Sequence, residues 1–291
     1  VLGVLCRNST NLLYGDIGDS SLEIKKHSRE SGAIANTLQS MFTPIYLDDR
    51  GVTSLGATQA YGDFKASDLA PQVQPYIDAR RKNIVCSLRV KEKNQYRIFF
   101  DDMTGITIAF RGNKVAGITR FVLSHQITCA CSGEDSDGNE VLYGGFDDGY
   151  VRQLDSGTNY DGEAVDAFIR LPYYAFGSPR NAKQFHRLTL EADIKDPADG
   201  IYIVPDYDYG GAEFSPVGVE QSFSLYGGGA FWDEDLYWDE FYWDAQKIGE
   251  GHMYLKGQGK NMSILIRSNS TYVEPHVLHG LIVDYENIAM R

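Results

Sequence analysis

The chain has 291 residues, a formal net charge of −13 and 43% apolar residues, the balance of an ordinary folded protein. So acidic a surface repels nucleic-acid phosphates and anionic membranes, which argues against a sequence-reading DNA-binding protein but suits a channel through which DNA slides without sticking. The 30 Gly and 19 Tyr favour turns and strands over helices.

In chain order, the first 160 residues repeat one pattern: an apolar strand, a tight acidic or glycine turn, and a second apolar strand. The copies lie at 12–24, 44–55, 96–110 and 141–154. Strands at 84–90 and 127–131 lead into the last two through polar turns at 91–95 and 133–139. A unit of about 40–45 residues with four short strands is the size of a β-propeller blade. Three to three and a half such blades fit before residue 160, fewer than a closed ring needs. The expectation is that an N-terminal portion precedes Val1, which reads as the middle of a strand. The stretch 60–81 breaks the pattern. Its Leu69, Val73, Tyr76 and Ile77 form a short helical stripe interrupted by Pro71 and Pro75, which predicts a helical turn or two.

The texture changes near Ser156. Alternating strands are predicted at 184–193, 200–206, 222–226, 252–256, 262–267 and 277–285. About seven short strands without helical periodicity read as a β-sandwich. The expected fold is therefore all-β: partial β-propeller blades over 1–160, then a β-sandwich domain over 161–291.

The densest cluster of chemistry-bearing residues is at 231–244. Asp233, Glu234, Asp235, Asp239, Glu240 and Asp244 alternate there with Trp232, Trp238, Tyr242 and Trp243. The segment reads as an exposed acidic loop stapled by its tryptophans, as a subunit or sugar contact, or as the slot of a glycan hydrolase with paired carboxylates. The run 134–140 resembles a calcium loop but lacks the bidentate Glu, so it reads as a hairpin turn; a calcium-stabilised adhesin is a further alternative. His276 and His279 fall on opposite faces of a strand and read as structural. Cys6, Cys86, Cys129 and Cys131 read as small core-facing residues, and Cys129-Ala-Cys131 has the wrong spacing for zinc. No nucleophile elbow, phosphate loop or dinucleotide fingerprint is present. No catalytic residue, cofactor or metal is expected. The sequence has neither a transmembrane-length apolar run nor a signal-peptide pattern, so no membrane insertion is expected.

The run Gly149-Tyr-Val-Arg-Gln-Leu-Asp-Ser-Gly-Thr-Asn-Tyr-Asp-Gly162 closes a blade. It is followed by Phe168-Ile-Arg-Leu-Pro172, Lys183-Gln-Phe-His-Arg-Leu-Thr-Leu-Glu191, Pro205-Asp-Tyr-Asp-Tyr-Gly210 and Leu278-His-Gly-Leu-Ile-Val-Asp-Tyr285. With Asn8-Ser-Thr-Asn-Leu-Leu-Tyr-Gly15 and Ala60-Tyr-Gly-Asp-Phe64, this texture resembles the C-terminal half of β-propeller hub or nozzle proteins from the tails of short-tailed double-stranded DNA bacteriophages. The resemblance implies a structural virion protein, assembled in the bacterial host cytoplasm as a ring of copies, commonly six, that extends the DNA-exit channel. Its implied partners are copies of itself and other tail proteins (adaptor, fibres or tip), with transient non-specific passage of DNA. It carries no catalytic residues to this chain. In that setting Trp232, Trp238, Tyr242, Trp243, Tyr207 and Tyr209 are the candidate interface residues.

Overall fold

The computed structural model describes residues 2–15, 22–28, 32–49, 51–55, 69–193, 201–210, 221–223, 248–270 and 277–288. The protein is all-β, with several small sheets and one short α-helix among the described residues. It divides into two compact units, Val1–Ser156 and Gly157–Arg291.

The first unit is a series of four antiparallel meanders, each built from strands consecutive in the chain. The first holds β1 (Leu2–Leu5), β2 (Thr10–Tyr14) and β3 (Glu23–Ser28). The second holds β4 (Gln39–Ser40), β5 (Pro44–Asp48) and β6 (Gly51–Ser54). Helix α1 (Gln74–Arg80) follows, flanked by 3-10 turns at Pro71–Val73 and Arg81–Asn83, where the helical stripe was expected. The third meander is β7 (Ile84–Val90), β8 (Gln95–Phe100), β9 (Thr104–Arg111) and β10 (Lys114–Val122). The fourth is β11 (Ile127–Glu134), β12 (Glu140–Phe146) and β13 (Val151–Leu154). All four hairpins expected from the repeat are present, as β2–β3, β5–β6, β8–β9 and β12–β13.

Turn chemistry explains their local formation. In the β12–β13 turn the Gly149 amide donates to Phe146 O (3.1 Å), and Gly149 sits at φ +86, a conformation glycine adopts without steric cost. In the β11–β12 turn the Asp135 carboxylate accepts the amides of Asp137 and Asn139 (2.9 and 2.8 Å). This is the hairpin reading of 134–140.

Period-two alternation distributes the apolar side chains between two clusters. Tyr96, Ile98 and Phe100 of β8 join Ile106, Ile108 and Phe110 of β9, Ile77 of α1, and Ile45, Leu47 and Val52 of the second meander. Phe99 points to the opposite face, where Leu88 and Val90 meet Ile127, Leu142 and Phe146 of the fourth meander. The third meander is thus buried on both faces. So is the second, since Tyr46 and Thr53 are buried as well as Ile45 and Val52. The first and fourth meanders are buried on one face only.

Polar side chains latch the third meander to the fourth. Glu140 accepts the backbone amides of Lys91 and Glu92 (2.9 and 3.0 Å), and Asp155 accepts from Lys93 (2.7 Å) and from both terminal nitrogens of Arg97 (2.7 and 2.6 Å). Burial pushes the Asp155 carboxyl up, but the hydrogen bonds and charges of Arg97 and Lys93 outweigh it and hold the group at about 2, against an ordinary 3.8. A lowered folded-state pKa means the latch contributes fully above the unfolded value and loses its contribution as pH falls through the folded one. Wild type should therefore be more stable than Asp155→Asn near neutrality, with the gap closing between about pH 4 and about pH 2. Urea unfolding across that range reads it directly; a gap independent of pH would show that Asp155 is not the titrating latch.

One expectation is corrected. Cys6, Cys129 and Cys131 are exposed rather than core-facing, and only Cys86 is partly covered. Cys129 and Cys131 lie on β11, whose sheet has an uncovered face, so the apolar alternation that suggested a core points to solvent there. Burial, with the neighbouring Cys129 adding to it, pushes the Cys86 thiol up to about 12.

The second unit is two antiparallel sheets sharing one apolar core. One has the order β14 (Val165–Arg170), β19 (Met262–Ser270), β16 (Ile201–Tyr207), β17 (Gln221–Phe223). The other has the order β18 (Ile248–Gly259), β15 (Lys183–Asp193), β20 (Val277–Asn287). Phe185, Leu188, Leu190, Met253 and Leu255 face Ile201, Ile203, Met262, Ile264 and Ile266 across the core. Lys183 is fully buried, and its ammonium donates to the carbonyls of Ser178, Asn181 and Lys260 (2.5, 3.0 and 3.0 Å). Those three acceptors offset the cost of burying the charge.

Candidate functional site

The end of β16, Pro205-Asp-Tyr-Asp-Tyr-Gly210, carries the two described candidate interface residues, Tyr207 and Tyr209. Among the described residues β17 pairs with Ile201, Tyr202 and Ile203, and Pro205 stands two residues beyond that ladder. Alternation along β16 sends Ile201, Ile203 and Tyr207 to the core and Asp206 to the opposite face.

Tyr207 is an anchor. Its ring packs 5.4 Å from that of Phe185 and against Gly257 of β18, where any Cβ would come within 2.2 Å of the ring. Burial pushes its phenol up to about 12, so the group is neutral at physiological pH; its hydroxyl has no partner among the described residues.

Tyr209 does the opposite. The Gly210 amide donates to Tyr207 O (3.0 Å), and Asp208 and Tyr209 both have positive φ (52° and 60°), the signature of a type I′ turn. The left-handed region disfavours a tyrosine by about 1–2 kcal/mol. The turn is held there because the Asp208 carboxylate accepts the Lys260 amide (2.7 Å) and the Asp208 amide donates to Asn261 O (3.3 Å). The result presents the Tyr209 ring 67% exposed, with its inner side 4.6 Å from the ring of Tyr173.

Beneath this ring pair lies a polar cluster. The buried Asp206 carboxylate accepts from Arg170 (2.6 Å) and from the Tyr173 hydroxyl (2.6 Å), and Arg170 also donates to that hydroxyl (3.1 Å). Ser263, between them and the main chain, donates to Leu171 O (2.7 Å). With both donors on one carboxylate oxygen, Asp206 holds Tyr173 and Arg170 in position. Tyr174, next in the chain, is 65% exposed and stacks edge-on against Phe176. The chemistry this surface offers is aromatic contact backed by a rigid carboxylate–guanidinium support, which suits a protein or sugar face.

Of the sequence-based candidates, the structure places Tyr207 mostly in the core and Tyr209 at the surface, while Trp232, Trp238, Tyr242 and Trp243 lie outside the described residues. Sequence reading missed Arg170, Tyr173 and Asp206 as a group. The signal that could have found them is the alternation Asp206-Tyr207-Asp208-Tyr209, which places a carboxylate on the non-core face of a buried strand. Comparison with known proteins finds no matching family model and no matching curated protein.

Proposed function

We propose that the chain is a non-catalytic structural protein of a short-tailed bacteriophage virion, a hub- or nozzle-like ring that extends the DNA-exit channel and acts by assembly. In this reading the four meanders are consecutive propeller blades and the second unit is a β-sandwich. The observation that carries it is the succession of sequence-local antiparallel meanders, of which the second, third and fourth pack face upon face, as blades do. The acidic balance of the chain suits a channel past which DNA must move, and the exposed Tyr209 suits a contact with another subunit or tail protein. A ring, six copies by resemblance, and docking to adaptor, fibres or tip follow as its partners.

Sedimentation velocity of the purified chain should give a ring-sized particle, and a stable monomer at all concentrations would end the proposal. Tyr209→Gly offers a finer test. It relieves the left-handed strain, about 1–2 kcal/mol, and loses the ring contact, about 0.5–1.5 kcal/mol, so thermal stability should hardly change. Weaker assembly at unchanged stability would mark Tyr209 as an interface residue. Unchanged assembly would remove it from the interface.

A further inference from the structure

Of the aromatic pairs among the described residues, the contact between Tyr173 and Tyr209 is the one made of two tyrosines. Their ring centroids are 4.6 Å apart, at the short end of the range for packed rings, and the planes are inclined by 45°. The two rings are unequal. Tyr209 is 67% exposed, whereas Tyr173 is half-buried and its hydroxyl donates to Asp206 Oδ2 (2.6 Å). Arg170 donates to the oxygen of that hydroxyl (3.1 Å), which leaves the phenolic hydrogen directed at the carboxylate.

These features bear on one chemistry, the loss of an electron from a phenol. The electron leaves readily when the proton leaves with it, and a carboxylate already within hydrogen-bond reach of the hydroxyl receives that proton without rearrangement. An exposed ring is where a dissolved oxidant can act, and a second phenol in contact gives the resulting radical a partner. The left-handed turn holds the Tyr209 ring in that contact, since Asp208 is latched to the Lys260 amide. Elsewhere the conditions are not met together. Tyr150, Tyr174 and Tyr254 are exposed but have no tyrosine ring against them among the described residues, and Tyr46 and Tyr96 are fully buried.

We infer that Tyr173 and Tyr209 form a site of oxidative cross-linking, at which hydrogen peroxide acting through a haem peroxidase joins the two rings as dityrosine. The oxidant takes both electrons at Tyr209, one of them drawn from Tyr173 across the ring contact. The Tyr209 proton goes to water, and the Tyr173 proton goes to Asp206 Oδ2 and from there to solvent. The two phenoxyl radicals form one C–C bond between carbons ortho to their oxygens, and each ring returns the displaced ortho hydrogen to its own oxygen. The two electrons and two protons reduce one hydrogen peroxide to two waters. The new bond ties the loop after β14 to the turn after β16 and fixes the ring that Tyr209 presents. This modification is independent of the proposed assembly function.

The test treats the purified full chain with hydrogen peroxide and a haem peroxidase. Wild type should gain dityrosine fluorescence and, after digestion, yield a peptide pair joined at Tyr173 and Tyr209 that is lighter by two hydrogens than its parts. Tyr209→Phe, which keeps the ring contact, and Tyr173→Phe should each lose that peptide pair. Asp206→Asn keeps an acceptor but not a base, and should slow its formation by roughly a hundredfold. A wild-type rate in Asp206→Asn would overturn the route of the proton. Dityrosine at other tyrosines only, or none at all, would overturn the site.

Discussion

Phe99→Ala is expected to destabilise the first unit by about 3–5 kcal/mol, the range for emptying a fully buried aromatic site. Phe99 is 1% exposed and makes an edge-on contact with Phe121 at 5.4 Å. Its neighbours Ile98 and Phe100 face the other cluster, so Phe99 is the apolar side chain that β8 sends to the side shared with Ile127, Leu142 and Phe146. Alanine leaves a cavity between the third and fourth meanders that the backbone ladders hold open. Phe99→Leu fills most of it and should cost roughly half as much. Urea unfolding of the three proteins measures this. A loss under about 1 kcal/mol for the alanine variant would mean that the two meanders are not packed together in solution.

Asp206→Ala should destabilise the second unit by about 1.5–3 kcal/mol, the cost of removing a buried charged acceptor from a partly exposed guanidinium and a hydroxyl. Arg170 and the Tyr173 hydroxyl both donate to the same Asp206 oxygen, so one deletion removes an acceptor from two groups. Asp206→Asn keeps an acceptor without the charge and should cost less. Pairing Asp206→Leu with Arg170→Met should recover much of the loss, because an apolar pair of similar volume is often as stable as a buried ion pair. A double-mutant cycle in thermal or urea unfolding separates these outcomes. Additive effects of the two single changes would show that Asp206 and Arg170 do not act as a unit. The same variant also frees the Tyr173 ring that supports Tyr209. Asp206→Ala should therefore weaken any contact made by Tyr209, whereas a core variant such as Phe99→Ala, located in the other unit, should not act through that ring.

The hairpins were legible because each is decided within about a dozen residues. Asp-Asp-Gly149 and the Asp135–Asn139 turn supply the positive φ and the capping carboxylate locally, and strict alternation in 96–100 assigns Ile98 and Phe99 to opposite faces. The helical turn at 74–80 was legible for the same reason, through its apolar stripe and its prolines. β10 and β14 escaped notice. β10 interrupts its alternation with Ala116-Gly117 at a bulge, and β14 is an edge strand whose exposed Phe168 and Ile169 break the inward–outward pattern. The cysteines misled because Val, Ile and Cys at alternating positions look the same whether the sheet face is covered or open.

By itself the sequence determined the all-β class, the succession of local meanders and the turns that join them, since all of these depend on near neighbours in the chain. Only the tertiary structure decided which faces are covered and which side chains meet. β14 pairs with β19 across roughly 100 residues and β16 with β19 across roughly 60, and Arg170, Tyr173 and Asp206 come together through those pairings. Contacts at that separation arise from how whole sheets bury their apolar faces, a property no local pattern contains. The same holds for Tyr207 and Tyr209: two residues apart, one is drawn into the core by Gly257 and Phe185, and the other is turned outward by a left-handed turn locked onto Lys260 and Asn261.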